Sequence, residues 1–142
     1  MQSSTALEFG VFRIGLRSAR RMVRRYVAFL NARDLDGIAG LLHERCCLVD
    51  RYGDRIEGRE AVIRATERFF ELEPHFYLRI DALVEHEGDI MLRGQAIATR
   101  PEFQADAMWR VSFEHGLISC WASFGPHASA RLAQLLGDKR QR

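Results

Sequence analysis

The stretch Arg25 to Gly53, RYVAFLNARDLDGIAGLLHERCCLVDRYG, decides the fold, because it passes from one helix through a second into a strand and a turn. Tyr26, Val27 and Leu30 continue a helical spacing of apolar positions that starts at Ala19, Met22 and Val23. A first helix over about residues 18–32 follows, with Ser18 as its N-cap and Arg17, Arg20, Arg21, Arg24 and Arg25 largely on the other face. Asp34 then caps a short helix with apolar positions at Leu35, Ile38, Leu41 and Leu42, which Gly37 and Gly40 weaken. After His43-Glu44, the run Cys46 to Tyr52 has strand composition, and Tyr52-Gly53-Asp54 supplies a turn.

Working downstream, a strand ends near Glu57-Gly58, and Gly58-Arg59-Glu60 opens a third helix. Its apolar face is Ala61, Val62, Ala65, Phe69, Phe70 and Leu72, and Glu73-Pro74 closes it. Four strands of β character then occupy residues 75–86, 90–100, 102–113 and 117–124, separated by Glu87-Gly88-Asp89, Arg100-Pro101 and His115-Gly116. Connections that short favour antiparallel neighbours. The order helix, helix, strand, helix, meander is α+β, with helices packed on one face of a curved antiparallel sheet.

Upstream, residues 1–17 alternate apolar positions weakly and fit a docked strand or a short helix equally; they form an N-terminal extension. Residues 18–125 make the domain, and residues 126–142 a closing amphipathic helix, with Ala128, Leu132, Leu135 and Leu136 in helical spacing, and a basic tail.

Composition narrows the function classes. The 142 residues are 47% hydrophobic and 28% charged, ordinary for one globular domain and unlike a disordered chain. Residues 1–33 hold seven arginines against Glu8, yet the whole chain carries only +2, which gives no case for nucleic acid. No run of about 18 apolar residues is present to span a membrane. Three cysteines, two of them adjacent (Cys46 and Cys47, with Cys120), read as free thiols in a reducing compartment, hence a cytoplasmic location. No glycine-rich phosphate loop, zinc spacing or serine elbow appears, and His43, His75, His86, His115 and His127 are scattered, so neither a metal nor a cofactor is expected.

With the elements in this order, residues 18–124 resemble the cone-shaped nuclear transport factor 2-like superfamily. Residues 25–53 in particular resemble its ketosteroid isomerase and SnoaL-like polyketide cyclase branches. The separation of Tyr26 from Asp50 matches that family's helix tyrosine and first-strand aspartate without a gap, and Gly58-Arg59-Glu60 falls where the pattern has it. The resemblance implies a cone-shaped curved antiparallel sheet with three helices packed on its concave face. It also implies a base at Asp50 and an electrophilic donor at Tyr26. The family's second oxyanion donor, a protonated aspartate, has no counterpart: its place falls at or near Trp109, and a third-helix tyrosine of some members is replaced by Thr66.

The residues allow that chemistry on their own terms. Alternation along Cys46 to Tyr52 puts Leu48, Asp50 and Tyr52 on one face and Cys47, Val49 and Arg51 on the other. A carboxylate on a face lining an apolar cavity is a better proton acceptor at neutral pH, and a phenol aimed at a developing enolate supplies the matching donor. The alternatives are a strand-end Asp50 paired with Arg51, Arg55 or Arg79, and core aromatics at Tyr26 and Trp109. Two apolar stripes furnish walls: Phe76, Leu78, Ile80, Ala82 and Val84; and Phe103, Ala105, Ala107, Trp109, Val111 and Phe113.

The resulting expectation is a small cofactor-independent enzyme moving a proton on a compact apolar carbonyl or cyclic substrate. Asp50 and Tyr26 are its catalytic residues, and Leu48, Tyr52, Phe69, Trp109, Ala107 and Val111 its substrate-binding residues. The alternative is a non-catalytic small-ligand-binding or dimerisation module of the same fold. Met91, Ile97 and Met108 on the outer sheet face give a homodimer as the default. A third option, an epoxide-opening or dehydrating relative, needs Asp106, His75 or Arg79 turned inward, which strand parity does not favour.

Overall fold

The computed structural model describes residues 15–125 and 132–137. Its elements are α1 (Leu16–Asn31), α2 (Leu35–Leu41), β1 (Leu42–Val49), β2 (Arg55–Glu57), α3 (Arg59–Leu72), β3 (Tyr77–His86), β4 (Asp89–Ile97), a 3-10 turn (Pro101–Phe103), β5 (Ala105–Glu114), β6 (Leu117–Phe124) and α4 (Leu132–Leu136). The extension up to residue 14, the expected helical residues 126–131 and the basic tail from 138 lie outside the described residues.

The six strands form one sheet in the order β2-β1-β6-β5-β4-β3. Every neighbouring pair is antiparallel except β1–β6, which is parallel, so the sheet is mixed rather than wholly antiparallel. The reason is connectivity. After β1 the chain makes the β2 hairpin and crosses over through α3, and the meander β3 to β6 then returns its last strand beside β1. α1 packs on β3 and β4, while α3 packs on β1, β2 and α4. The core between these layers includes Val23, Ile38, Val62, Ala65, Ile90, Leu92, Val111 and Ile118, all essentially solvent-free.

α1 buries Ala19, Val23, Tyr26 and Val27, the stripe the sequence spacing marks. It starts at Leu16 after Gly15, so Ser18 is helical rather than the cap; the backbone N–H of Ala19 already donates to Gly15 O. Asn31 and Arg33 fix its far end. The Asn31 amide exchanges both hydrogen bonds with the Leu78 backbone, at 2.8 and 3.0 Å, acting as a strand partner for β3. Arg33 takes a left-handed φ of 60° and donates to the carbonyls of Glu73, Pro74 and Phe76. Asp34 caps α2 as its sequence position implies, accepting from the Gly37 N–H at 2.9 Å.

Two strand details differ from simple alternation. β1 starts at Leu42 and stops at Val49, so Asp50 and Tyr52 belong to the following turn rather than to the strand. In β3 a register shift between Ile80 and Ala82 reverses parity: Leu83 packs on the core and Val84 is exposed, removing Val84 from the inner stripe. Opposite the shift stands Gly94, where a Cβ would lie 1.9 Å from the Arg79 carbonyl oxygen. Only glycine lets the two backbones approach so closely. No helix among the described residues is long and apolar enough to cross a membrane.

Candidate ligand cavity and its polar groups

Between α1, α3, α4 and the inner sheet face lies a cavity of about 160 Å³. Its aromatic wall comes from Tyr26, Phe69, Phe76, Phe103, Trp109 and Trp121. Of the residues read from the sequence as a site, Tyr26, Asp50, Leu48, Phe69 and Trp109 line it. Tyr52, Ala107 and Val111 do not. Tyr52 leaves the wall because β1 ends three residues earlier, and Ala107 and Val111 point inward but are consumed by core packing.

Tyr26 sits mid-way along α1 and stacks on Trp121, ring centroids 4.7 Å apart. Burial pushes its phenol above the ordinary value, with the neighbouring Cys46 adding to the effect, so the group is a neutral donor throughout the physiological range. No hydrogen bond among the described residues engages the Tyr26 hydroxyl or the indole N–H groups of Trp109 and Trp121. None of the three atoms is a sealed, unpartnered polar group, and all three residues line the cavity. Three side chains whose donors meet no acceptor among the described residues therefore line one cavity.

Asp50 is different. Its Oδ1 accepts the backbone N–H groups of Tyr52 at 2.9 Å and Asp54 at 3.0 Å, closing the β1–β2 turn, and its Oδ2 accepts the N–H of Ala133 at 3.0 Å. A carboxylate offers about four acceptor positions, and these bonds fill three of them. The arginine pairings considered for Asp50 are replaced by backbone donors. At the other end of α4, Arg68 donates to the Leu136 carbonyl, its Nε lying 2.7 Å away. The five-residue helix is thus held at both ends by charged side chains and contributes Leu132, Ala133 and Leu136 to the cavity wall.

Other polar groups are accounted for. Thr66, in the wall, donates its hydroxyl to Val62 O. Asp106 accepts from Gln95 and Arg79 donates to Asp81, both on the outer face, while His75 is exposed, so none of the three turns inward. Arg51 also lines the cavity, and burial lowers its guanidinium from the ordinary value. Sequence reading gave no metal site, yet His43, Glu114 and His115 bring ligand atoms within 4.8 Å of one another. His43 Nδ1 accepts the Arg45 N–H, which leaves the proton on Nε2 and turns an N–H, not a lone pair, toward Glu114.

Trp121 was not singled out by the sequence. Its signal is hidden because a register shift beside Ser112 and Phe113 turns both Ile118 and Trp121 inward, although they stand three positions apart. The α4 contribution had no signal beyond an amphipathic spacing.

The model of the SnoaL-like domain family matches residues 23–121. No curated protein matches the chain by sequence. Among solved structures, a protein of unknown function with a cystatin-like fold from Methylobium petroleophilum PM1 superposes with TM-score 0.70 at 18% identity, covering 81% of each chain. A candidate ketosteroid isomerase from Kribbella flavida DSM 17836 gives 0.66 at 22% identity, over 80% of this chain and 82% of that one. A candidate polyketide cyclase from Sinorhizobium meliloti gives 0.67 at 14% identity, over 72% and 93%. At these identities the likeness establishes a shared fold.

Proposed function

The chain belongs to the SnoaL-like domain family, and from that premise we propose that it binds a compact, cyclic, carbonyl-bearing molecule in its cone. The observation behind the reading is that Tyr26, Trp109 and Trp121, whose O–H and N–H groups meet no acceptor among the described residues, line one cavity with an aromatic wall. Donors without acceptors call for a ligand oxygen. Size bounds the ligand: an apolar cavity of about 150 Å³ takes a benzene-sized guest, so about 160 Å³ suits one ring and its substituents. A polycyclic ligand needs the α4 wall to withdraw.

The test is fluorescence titration of the full chain with small cyclic ketones, phenols and matched hydrocarbons, reported by Trp109 and Trp121. Tyr26→Phe should weaken ketones by about five- to tenfold, one net hydrogen bond of about 1 kcal/mol, and leave hydrocarbons unaffected. Equal loss for both classes, or no response from either tryptophan, refutes the reading.

A second reading, isomerase- or cyclase-type proton transfer with Asp50 as base, is favoured by one observation: its carboxylate lines the same cavity as Tyr26. The three N–H bonds argue against it, since they already fill three of the carboxylate's about four acceptor positions. A turnover screen on ketones bound by the parent decides, because this reading requires activity that Asp50→Asn abolishes. We further propose a homodimer through the outer sheet face, where the cross-strand pairs Tyr77–Ile97 and Met108–Phe124 are exposed. A cytoplasmic location fits the free thiols Cys46, Cys47 and Cys120.

A further inference from the structure

Directly behind the cavity wall, the outer sheet face holds two thiols in contact. Cys47 and Cys120 are register partners across the parallel β1–β6 pair, and their sulfurs are hydrogen-bonded at 3.3 Å. Neighbouring strands lie about 4.8 Å apart, within the Cα separation of about 4.4–6.8 Å that a disulfide spans. The sulfurs close by about 1.3 Å to reach a bond of about 2.0 Å. Arg55 on β2 donates from Nη2 to Cys47 Sγ at 3.1 Å and from Nε to Glu57 at 2.9 Å, which holds the guanidinium in place. The third thiol, Cys46, faces the opposite way into the core and is 1% exposed.

We propose that Cys47 and Cys120 form a reversible oxidation site, closing an intrachain disulfide when the protein meets hydrogen peroxide. The roles of the sulfurs follow from their neighbours. Arg55 donates to Cys47 Sγ, which marks Cys47 as the attacking sulfur. Burial, with the Cys47 hydrogen bond, pushes the Cys120 thiol up to about 12, so it keeps its proton until the second step. The Cys47 thiolate attacks one peroxide oxygen, the O–O bond breaks, and the departing oxygen leaves as water after taking a proton. Cys47 is then a sulfenic acid. The Cys120 sulfur attacks it, the S–O bond breaks, and a second water leaves with the Cys120 proton. Two thiols have lost two electrons and two protons, and one peroxide has become two waters.

The bond has a consequence for the cavity. The adjacent register pair is Leu48 and Trp121, both in its wall, and the β1–β6 pairing is irregular between Leu42 and Cys47. A covalent link at Cys47 pins that irregular pairing one residue from the wall, coupling thiol oxidation to the ligand site.

The experiment treats the reduced full chain with hydrogen peroxide and follows intact mass and fragment spectra. Expected are the loss of two hydrogens per monomer, a peptide joining the Cys120 region to Cys47, a free Cys46, and full reversal by dithiothreitol. Cys47→Ser and Cys120→Ser abolish the link, Cys46→Ala keeps it, and Arg55→Gln slows it several-fold, because the guanidinium that donates to Cys47 Sγ is gone. A Cys46–Cys47 bond, a link between chains, or oxidation to sulfinic acid without a link overturns the proposal. Fragment spectra of the parent locate the sulfurs even if a variant fails to fold.

Discussion

Replacing Asp50 by Asn tests the assignment that this carboxylate locks the C-terminal helix onto the cavity. The isosteric amide keeps one oxygen for the Tyr52 and Asp54 N–H groups, which close the turn. Its NH₂ then meets the Ala133 N–H, donor against donor, in a buried contact. The loss of a hydrogen bond to a charged acceptor is about 1.5–3 kcal/mol, and a buried N–H left unmatched costs about 1–3 kcal/mol. α4 escapes part of this by undocking, because what opposes release is chiefly the burial of Leu136, at about 1.5–3 kcal/mol, and the Arg68 bond to its carbonyl. The net effect is therefore about 2 kcal/mol on local opening, roughly a thirtyfold change. Amide hydrogen exchange by NMR reads it directly. Ala133 and Gly137, whose N–H donates to Ala133 O, should exchange about thirtyfold faster in Asp50→Asn, while Val62 and Ile118 in the core change little. Unchanged exchange at Ala133 would refute the lock and return Asp50 to the role of a free carboxylate.

Three further outcomes are expected. Gly94→Ala forces a methyl into the Arg79 carbonyl at the β3 register shift, so β3 and β4 separate locally and urea unfolding shows a loss of about 3 kcal/mol; a loss under 0.5 kcal/mol contradicts the close approach. Glu73, fully buried, accepts the N–H groups of Thr99 and Arg100 at 2.7 and 3.0 Å, and Glu73→Ala should cost about 2–4 kcal/mol by the same assay, with Glu73→Gln losing less. Alkali should destabilise the fold, because burial raises the Tyr26 phenol and pushes the Cys46 thiol up to about 11. The unfolded chain releases those protons first, from about pH 8.5 for the thiol and about pH 10 for the phenol. Stability is therefore full below that range and falls as pH rises toward the folded values. Tyr26→Phe should flatten the decline above pH 10 or so, and an unaltered slope would remove Tyr26 from the account.

The place of Asp50 shows what a correct spacing does and does not carry. Tyr26 and Asp50 reach one cavity, as their separation implies, because α1 and β1 lie at fixed positions in this architecture. Strand parity, however, says only which face a residue takes while the strand lasts, and β1 stops at Val49. One residue further, the backbone turns, and the same side chain gathers N–H groups from its own turn and from α4. Tyr52 leaves the site for the same reason. A register shift moves Val84 off the inner stripe and another turns Trp121 inward; such shifts arise from pairing between strands.

From the sequence by itself came the element order, the α1 stripe of Ala19, Val23, Tyr26 and Val27, the Asp34 cap, the β5 stripe through Ala107, Trp109 and Val111, and with them the fold class. These follow from periodicity and local hydrogen bonding, which act between residues a few positions apart. Tertiary structure alone decided that β6 runs parallel to β1, that Cys47 meets Cys120 while Cys46 turns to the core, that Tyr26, Trp109 and Trp121 line one cavity, and that Asp50 holds Ala133. Each of those joins groups tens of residues apart along the chain, and which of them meet is settled only when strands pair and helices dock, because burying a polar group obliges it to find whatever partner the packing brings within reach.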